Sequence, residues 1–294
     1  MDKDNLGKEN DRRNTKKNKK KNYVIRDMND EYVDYENEKK INLQDDIKYY
    51  QNMEYLSNKE KNDFDNKFSK PRNYSQNRLL NCLKNKNQKI VIATGPAGTG
   101  KTLFATEQGV RNFLRGDYIK LIFTRPTVSV DEELGFLPGT LEEKMAPWVR
   151  PIYDILYNFI TVKCASALLE EKIIEICPLG YMRGRTFKNC WIVADEMQNC
   201  TVSQMKMLLT RLGENSRLII TGDLEQHDRH GEINGLEDFL NKLKGRRSDS
   251  ISSVEFDKGD IEREDVVKEV LDIYETSVIP HSYNLDDDSS NGSK

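Results

Sequence analysis

The chain has 294 residues, with 46 Lys and Arg against 49 Asp and Glu and a formal net charge of −3. That length allows one sizeable core or two modest ones, and the charge balance excludes a chain that binds nucleic acid over its whole surface; any such site must be a local patch. With 32% charged and 36% hydrophobic residues the chain is too polar to be globular throughout, and no apolar run approaches ~18 residues, so no transmembrane helix and no membrane partner are expected.

The first residues, MDKDNLGKEN, lack the apolar stretch of a signal peptide. Residues 1–68 are rich in Asn, Lys and Asp and read as a disordered, low-complexity tail. Its first 22 residues are basic, with KKNKKK at Lys16–Lys21, and 27–65 are net acidic. The basic cluster reads either as a nucleic-acid or targeting element or as a merely solvated arm. The cysteines (Cys82, Cys164, Cys177, Cys190, Cys200) show no CxxC spacing and sit mostly in apolar runs. They read as reduced thiols of an intracellular, cytoplasmic protein.

An ordered domain is expected over residues 69–276. Asn73 or Ser75 can cap a helix carrying Leu79, Leu80 and Leu83. A short apolar run, Lys89 to Ala93, then reads as a buried strand. It leads into Gly95, Pro96, Ala97, Gly98, Thr99, Gly100, Lys101 and Thr102, which fit the phosphate-loop pattern G-x-x-x-x-G-K-[ST], and a helix follows over Leu103 to Leu114. Glycines let such a loop wrap closely around phosphates, while backbone N–H groups and the helix N-terminus supply positive potential. Lys101 can reach the β and γ phosphates, and the Thr102 hydroxyl can ligate Mg²⁺. The loop specifies a nucleoside triphosphate but not the use of its energy.

A second strand is expected over Ile119 to Thr124, with Pro126 ending the ladder and leaving Arg125 at its carboxyl edge. A turn-rich insertion, Asp131 to Gly139, precedes a helical pattern from Thr140 to Ile160, with a capping box at Thr140 and Glu143 and kinks at Pro147 and Pro151. A third strand over Ile173 to Cys177 gives way to a loop with Arg183 and Arg185. The fourth, Cys190 to Ala194, runs into Asp195-Glu196: one carboxylate to hold the metal beside the phosphate loop, the next to orient or deprotonate an attacking water. Thr201 and Gln204 cap a helix with Met205, Leu208, Leu209 and Leu212 inward and Gly213 closing it. A fifth strand, Arg217 to Thr221, ends in Gly222-Asp223-Leu224-Glu225-Gln226, where Gln226 can contact the γ-phosphate or the attacking water. A helix over Gly235 to Leu243, a strand over Ile251 to Phe256 and a helix over Asp260 to Tyr274 complete the domain; 277–294 read as a disordered tail.

Strands alternating with helices, with polar motifs at successive strand ends, imply an α/β fold with a mostly parallel sheet covered on both faces. The motifs GPAGTGKT at Gly95–Thr102, TRP at Thr124–Pro126, LGFLPG at Leu134–Gly139, RPIYD at Arg150–Asp154, PLGYMRGRTF at Pro178–Phe187, DEMQN at Asp195–Asn199, QMKMLLTRLG at Gln204–Gly213 and TGD–Q at Thr221–Gln226 resemble the PhoH-like ATPase family. The resemblance covers about Pro71 to Glu275. It implies a single RecA-like P-loop ATPase domain related to superfamily 1 helicases, with ATP and Mg²⁺ as ligands. It implies coupling to single-stranded RNA or DNA, and a homo-oligomer such as a hexameric ring. It further implies that Gln76 reads the adenine edge, that Arg125 lies near single-stranded nucleic acid, and that Arg263, Arg183 or Arg185 supplies the arginine on the γ-phosphate. The chain departs from the family pattern at Arg229-His230 and at Glu264-Asp265 after Arg263. Residues 1–68 lack the apolar strands of the PIN ribonuclease domain that some members carry, so no nuclease activity is expected.

ATP hydrolysis coupled to single-stranded nucleic acid is the leading expectation, with a nucleotide-gated binding module of little turnover as the alternative. A P-loop kinase fits less well, because Asp195-Glu196 and Gly222-Asp-x-x-Gln226 favour water as the acceptor.

Overall fold

A computed structural model describes residues 57–126, 150–227 and 233–264, together with residues 266, 267, 269, 270 and 273. The expected tail over residues 1–56, the Asp131–Gly139 turn region, the capping box at Thr140, the Arg229-His230 departure and the tail at 277–294 lie outside the described residues.

Among the described residues six strands form one parallel sheet: β1 (Ile90–Thr94), β2 (Lys120–Arg125), β3 (Ile174–Pro178), β4 (Cys190–Ala194), β5 (Arg217–Gly222) and β6 (Ile251–Glu255). Their order is β3-β2-β4-β5-β1-β6. Side chains alternate between two cores, as the period-two geometry of a strand requires. Val91, Leu121, Phe123, Trp191, Val193 and Ile219 face one cluster, and Ile92, Ile122, Ile192, Leu218 and Ile220 face the other. Both faces are buried, which is why these strands read as near-continuous apolar runs. Each such aliphatic residue stabilises the fold by roughly 1.5–3 kcal/mol on full burial.

The first face is covered by α1 (Asn58–Asn66), α2 (Tyr74–Lys84), α3 (Lys101–Leu114), α4 (helical residues 150–157) and α5 (Val162–Glu170). The second is covered by α6 (Val202–Leu209) and α7 (Gly235–Leu243) through Met205, Leu208 and Leu236. Asn73 is the residue that caps α2, accepting from the Gln76 N–H at 2.8 Å, and the Thr201–Gln204 capping box forms as its spacing predicts. Among the described residues no helix is long and apolar enough to cross a membrane.

The expectation of disorder up to residue 68 is corrected at its C-terminal end. Ser57 and Glu60 form a capping box that starts α1. Phe64 and Phe68 are buried, and the Phe68 ring stacks on Phe159 at 4.5 Å between centroids. The Ser69 N–H and hydroxyl donate to the two Glu107 carboxylate oxygens at 2.8 Å each, and Asp65 pairs with Arg111. The segment thus clamps onto α3, the helix that carries the phosphate loop. The final helix does not start at Asp260 as expected: Asp260 closes a 3₁₀ turn (Lys258–Asp260), residues 261–264 are not helical, and 266 and 267 are helical among the described residues.

Topology positions the site. From β1 the chain crosses β5 and β4 to reach β2, then returns to β5 beside β1. The loops after β1, β4 and β5 therefore meet at one carboxyl edge, where open α/β sheets bind ligands.

Candidate nucleotide site

The phosphate loop folds as its glycines demand. Gly95, Gly98 and Gly100 have φ of 129°, 83° and 86°, a region that side-chain-bearing residues rarely adopt. Gly100 is the N-cap of α3, so the positive end of that helix faces the loop. Thr99 is fully buried, and its hydroxyl donates to the Pro96 carbonyl at 2.9 Å, while Ala97 stands exposed at the tip. The Lys101 ammonium lies in the hollow of the loop, donating to the Gly95 and Pro96 carbonyls at 2.6 Å each and to the Thr99 hydroxyl at 3.2 Å. Burial pushes its pKa down, against the upward pull of Asp223, Asp195 and Glu196.

The acidic half comes from β4. Asp195 is held by its N–H on the Thr124 carbonyl at 2.9 Å. Its Oδ1 accepts from the Thr102 hydroxyl at 2.8 Å and from the Thr221 hydroxyl at the end of β5. One carboxylate oxygen thus joins the first turn of α3 to two neighbouring strands. Glu196 follows in the left-handed region at φ 53°, ψ 37°, a conformation of order 1–3 kcal/mol in cost for a residue with a side chain. It is held by the buried 3₁₀ turn Met197–Asn199, and its Oε2 accepts from Gln198 Nε2 at 2.6 Å.

The donors suit a hard cation. Thr102, Thr124 and Asp195 line a common cleft, and the buried Thr124 hydroxyl has no hydrogen-bond partner there. A carboxylate and hydroxyls are the oxygen donors that Mg²⁺ takes. That ion takes one or two carboxylates and completes its shell with phosphates and water. Thr102 and Asp195 are the residues that would hold it.

The other expected residues divide. Gln76 is buried, with Oε1 accepting from the Arg72 N–H at 2.8 Å and Nε2 donating to the Thr99 carbonyl at 3.1 Å, so its amide braces the phosphate loop. Arg263 comes to the loop: its guanidinium lies so close over Gly98 that a Cβ there would meet Nε at 2.4 Å, and the Glu262 N–H donates to the Gly98 carbonyl at 3.1 Å. Arg125 stands at the end of β2 and lines the same cleft as Asp195. Arg183 and Gln226 are exposed.

Arg185 does not join the loop. Its guanidinium makes two bonds to Glu175 on β3, the longer at 2.8 Å, and stacks over the Phe187 ring at 4.6 Å. It anchors its own loop. Three contributors went unnoticed in the sequence: Thr221, Thr124 and Gln198. Each lies inside a quoted motif, but only the sheet order shows that they meet.

A family model described as PhoH-like protein matches residues 69–275. The PhoH-like protein of Bacillus subtilis (strain 168) is 45% identical over 191 residues, 65% of this chain and 59% of its own length. The PhoH-like protein of Mycobacterium tuberculosis (strain ATCC 25618 / H37Rv) is 41% identical over 206 residues, covering 70% of this chain and 57% of its own. Protein PhoH of Escherichia coli (strain K12) is 39% identical over 206 residues, 69% of this chain and 57% of its own. The chain spans less than three-fifths of the length of these relatives.

Proposed function

The chain belongs to the PhoH-like family, whose fold is of the P-loop, ATPase-like type, and from that premise we propose that it binds ATP with Mg²⁺ and hydrolyses it, in a cycle coupled to single-stranded RNA or DNA. The observation that carries the reading is the Asp195 carboxylate, which accepts hydroxyls from the phosphate-loop helix and from β5 while Glu196 projects from the next position.

The triphosphate is cradled by the N–H groups of Gly95–Thr102 and the N-terminus of α3. Lys101 exchanges the carbonyls of Gly95 and Pro96 for phosphate oxygens. Thr102 and Asp195 would hold the metal, which would supply neutralisation of phosphate charge when bound. Glu196 accepts a proton from, or orients, the water that attacks the γ-phosphorus in line, and Arg263 places a guanidinium over the loop to balance charge that develops in the transition state. Loss of the γ-phosphate then changes the contacts of the β5-exit loop that bears Gln226. Arg125, at the end of β2, and Arg183, on the loop after β3, are the candidates for gripping a nucleic-acid backbone.

The test is ATP hydrolysis measured with RNA and with single-stranded DNA side by side. Strong stimulation by either supports the coupling. Slow turnover indifferent to both supports a nucleotide-gated module instead, and absence of turnover contradicts the proposal.

A further inference from the structure

The exit loops of β4 and β5 are tied by one buried side chain. Gln198 is 1% exposed. Its Nε2 donates to Glu196 Oε2 at 2.6 Å, and its Oε1 accepts from the backbone N–H of Asp223 at 3.0 Å. Its carbonyl accepts from His227 Nδ1 at 2.8 Å. A primary amide has donors at one end and an acceptor at the other, so it can serve a carboxylate and a backbone N–H together. The two loops also touch without slack: a Cβ at Gly222 would meet Gln198 Oε1 at 2.9 Å and its backbone N at 3.2 Å.

We propose that Gln198 is the positioning residue that aims the Glu196 carboxylate and couples it to the 223–227 segment of the β5-exit loop. The inference rests on the hydrolytic reading above. Glu196 sits in a strained left-handed conformation that its surroundings must over-determine, and its carboxylate needs a donor to choose one rotamer. The Gln198 amide is that donor. Because the same amide holds the Asp223 N–H, a displacement of the β5-exit loop cannot leave Glu196 unmoved. The loop bearing Gln226, which follows the γ-phosphate, would thereby report to the group that activates water. Gln198 touches neither phosphate nor water and acts through Glu196.

Gln198→Glu separates the two bonds. It keeps shape and the acceptor for Asp223 but sets a second carboxylate against Glu196. Gln198→Leu removes both. In single-turnover hydrolysis the expected result for Gln198→Glu is a rate lowered about 10²-fold with affinity for a fluorescent ATP analogue unchanged, while the thermal midpoint falls because a second carboxylate is buried against Glu196. Added to Glu196→Gln, it should cost nothing further, since the two residues act as one unit. A purely structural residue would lower affinity with the rate, and would cost the same in either background; that result overturns the proposal, as does a wild-type rate in Gln198→Glu. Hydrogen exchange at the Asp223 amide reads the other bond independently of turnover: about tenfold faster in Gln198→Leu and unchanged in Gln198→Glu. An Asp223 amide indifferent to Gln198→Leu overturns the link between the loops. Absence of hydrolysis by the wild type overturns the ATPase reading instead, and the exchange measurement still decides the link.

Discussion

The Thr102 hydroxyl donates to Asp195 at 2.8 Å, so the first turn of the phosphate-loop helix and the end of β4 share one carboxylate oxygen across 93 residues of sequence. The pair predicts how metal dependence is distributed. Thr102→Val removes the hydroxyl and should raise the Mg²⁺ concentration for half-maximal hydrolysis by about 10–100-fold, with Thr102→Ser close to wild type. Titration of turnover against Mg²⁺ checks this; equal requirements in Thr102→Val and wild type would sink the assignment.

Arg263 lies over Gly98 without a bulky group between them. Arg263→Ala should lower the hydrolysis rate by about 10³-fold while nucleotide affinity changes far less, and Arg263→Lys should not restore it, because an ammonium lacks the planar fork. Stopped-flow binding and turnover measured on the same samples separate the two effects. A loss confined to affinity would assign Arg263 to ground-state binding.

The Asp65–Arg111 and Ser69–Glu107 contacts fix the segment from α1 to Ser69 to α3, and Phe68 stacks on Phe159 just beyond α4. Phe68→Ala should destabilise the fold by about 3 kcal/mol. A chain starting at residue 70 should melt well below one starting at residue 57, as followed by circular dichroism. Equal midpoints would show that the clamp contributes nothing.

The Glu175–Arg185 pair gives a pH dependence with a definite sign. Hydrogen bonds from Arg185 hold the Glu175 carboxyl below its ordinary value, partly offset by desolvation. Its folded pKa is thus depressed, so the unfolded chain binds more protons in the window between the two values and stability rises with pH there. The contribution is complete above the unfolded value of about 4.3 and is lost as pH falls through the folded one. Because the Arg185 side chain is 39% exposed, Glu175→Gln should cost only about 1 kcal/mol near pH 7. Denaturant midpoints of the two chains should converge below about pH 4. A constant gap down to pH 3 would contradict the assignment.

Much of this was legible in the residues. The strands announce themselves because both sheet faces are buried, so β-branched runs end in Gly95, Arg125, Asp195 and Gly222 at one edge. The strand order was not legible, and with it went Thr221: only pairing of β5 beside both β1 and β4 brings its hydroxyl to Asp195. α1 hides because its nine residues bury a single apolar side chain, Phe64, and otherwise read as polar tail. α5, Val162–Glu170, hides for another reason: it buries Cys164, Ala165 and Leu168 but lies directly between a proline-marked helix and a strand. The role of Arg185 turns on Glu175, which sits on an edge strand where a charge reads as mere solvation. Gln198 is invisible for a different reason: its partners are a carboxylate on one loop and an N–H on another.

On the proposed mechanism Glu196 activates the water that attacks bound ATP. The direct measurement is phosphate release by wild type and Glu196→Gln, with Mg²⁺ and saturating single-stranded RNA or DNA, alongside ATP affinity for both. Equal affinity and a rate lowered at least about 10²-fold are expected for Glu196→Gln. Full turnover by Glu196→Gln would contradict that mechanism.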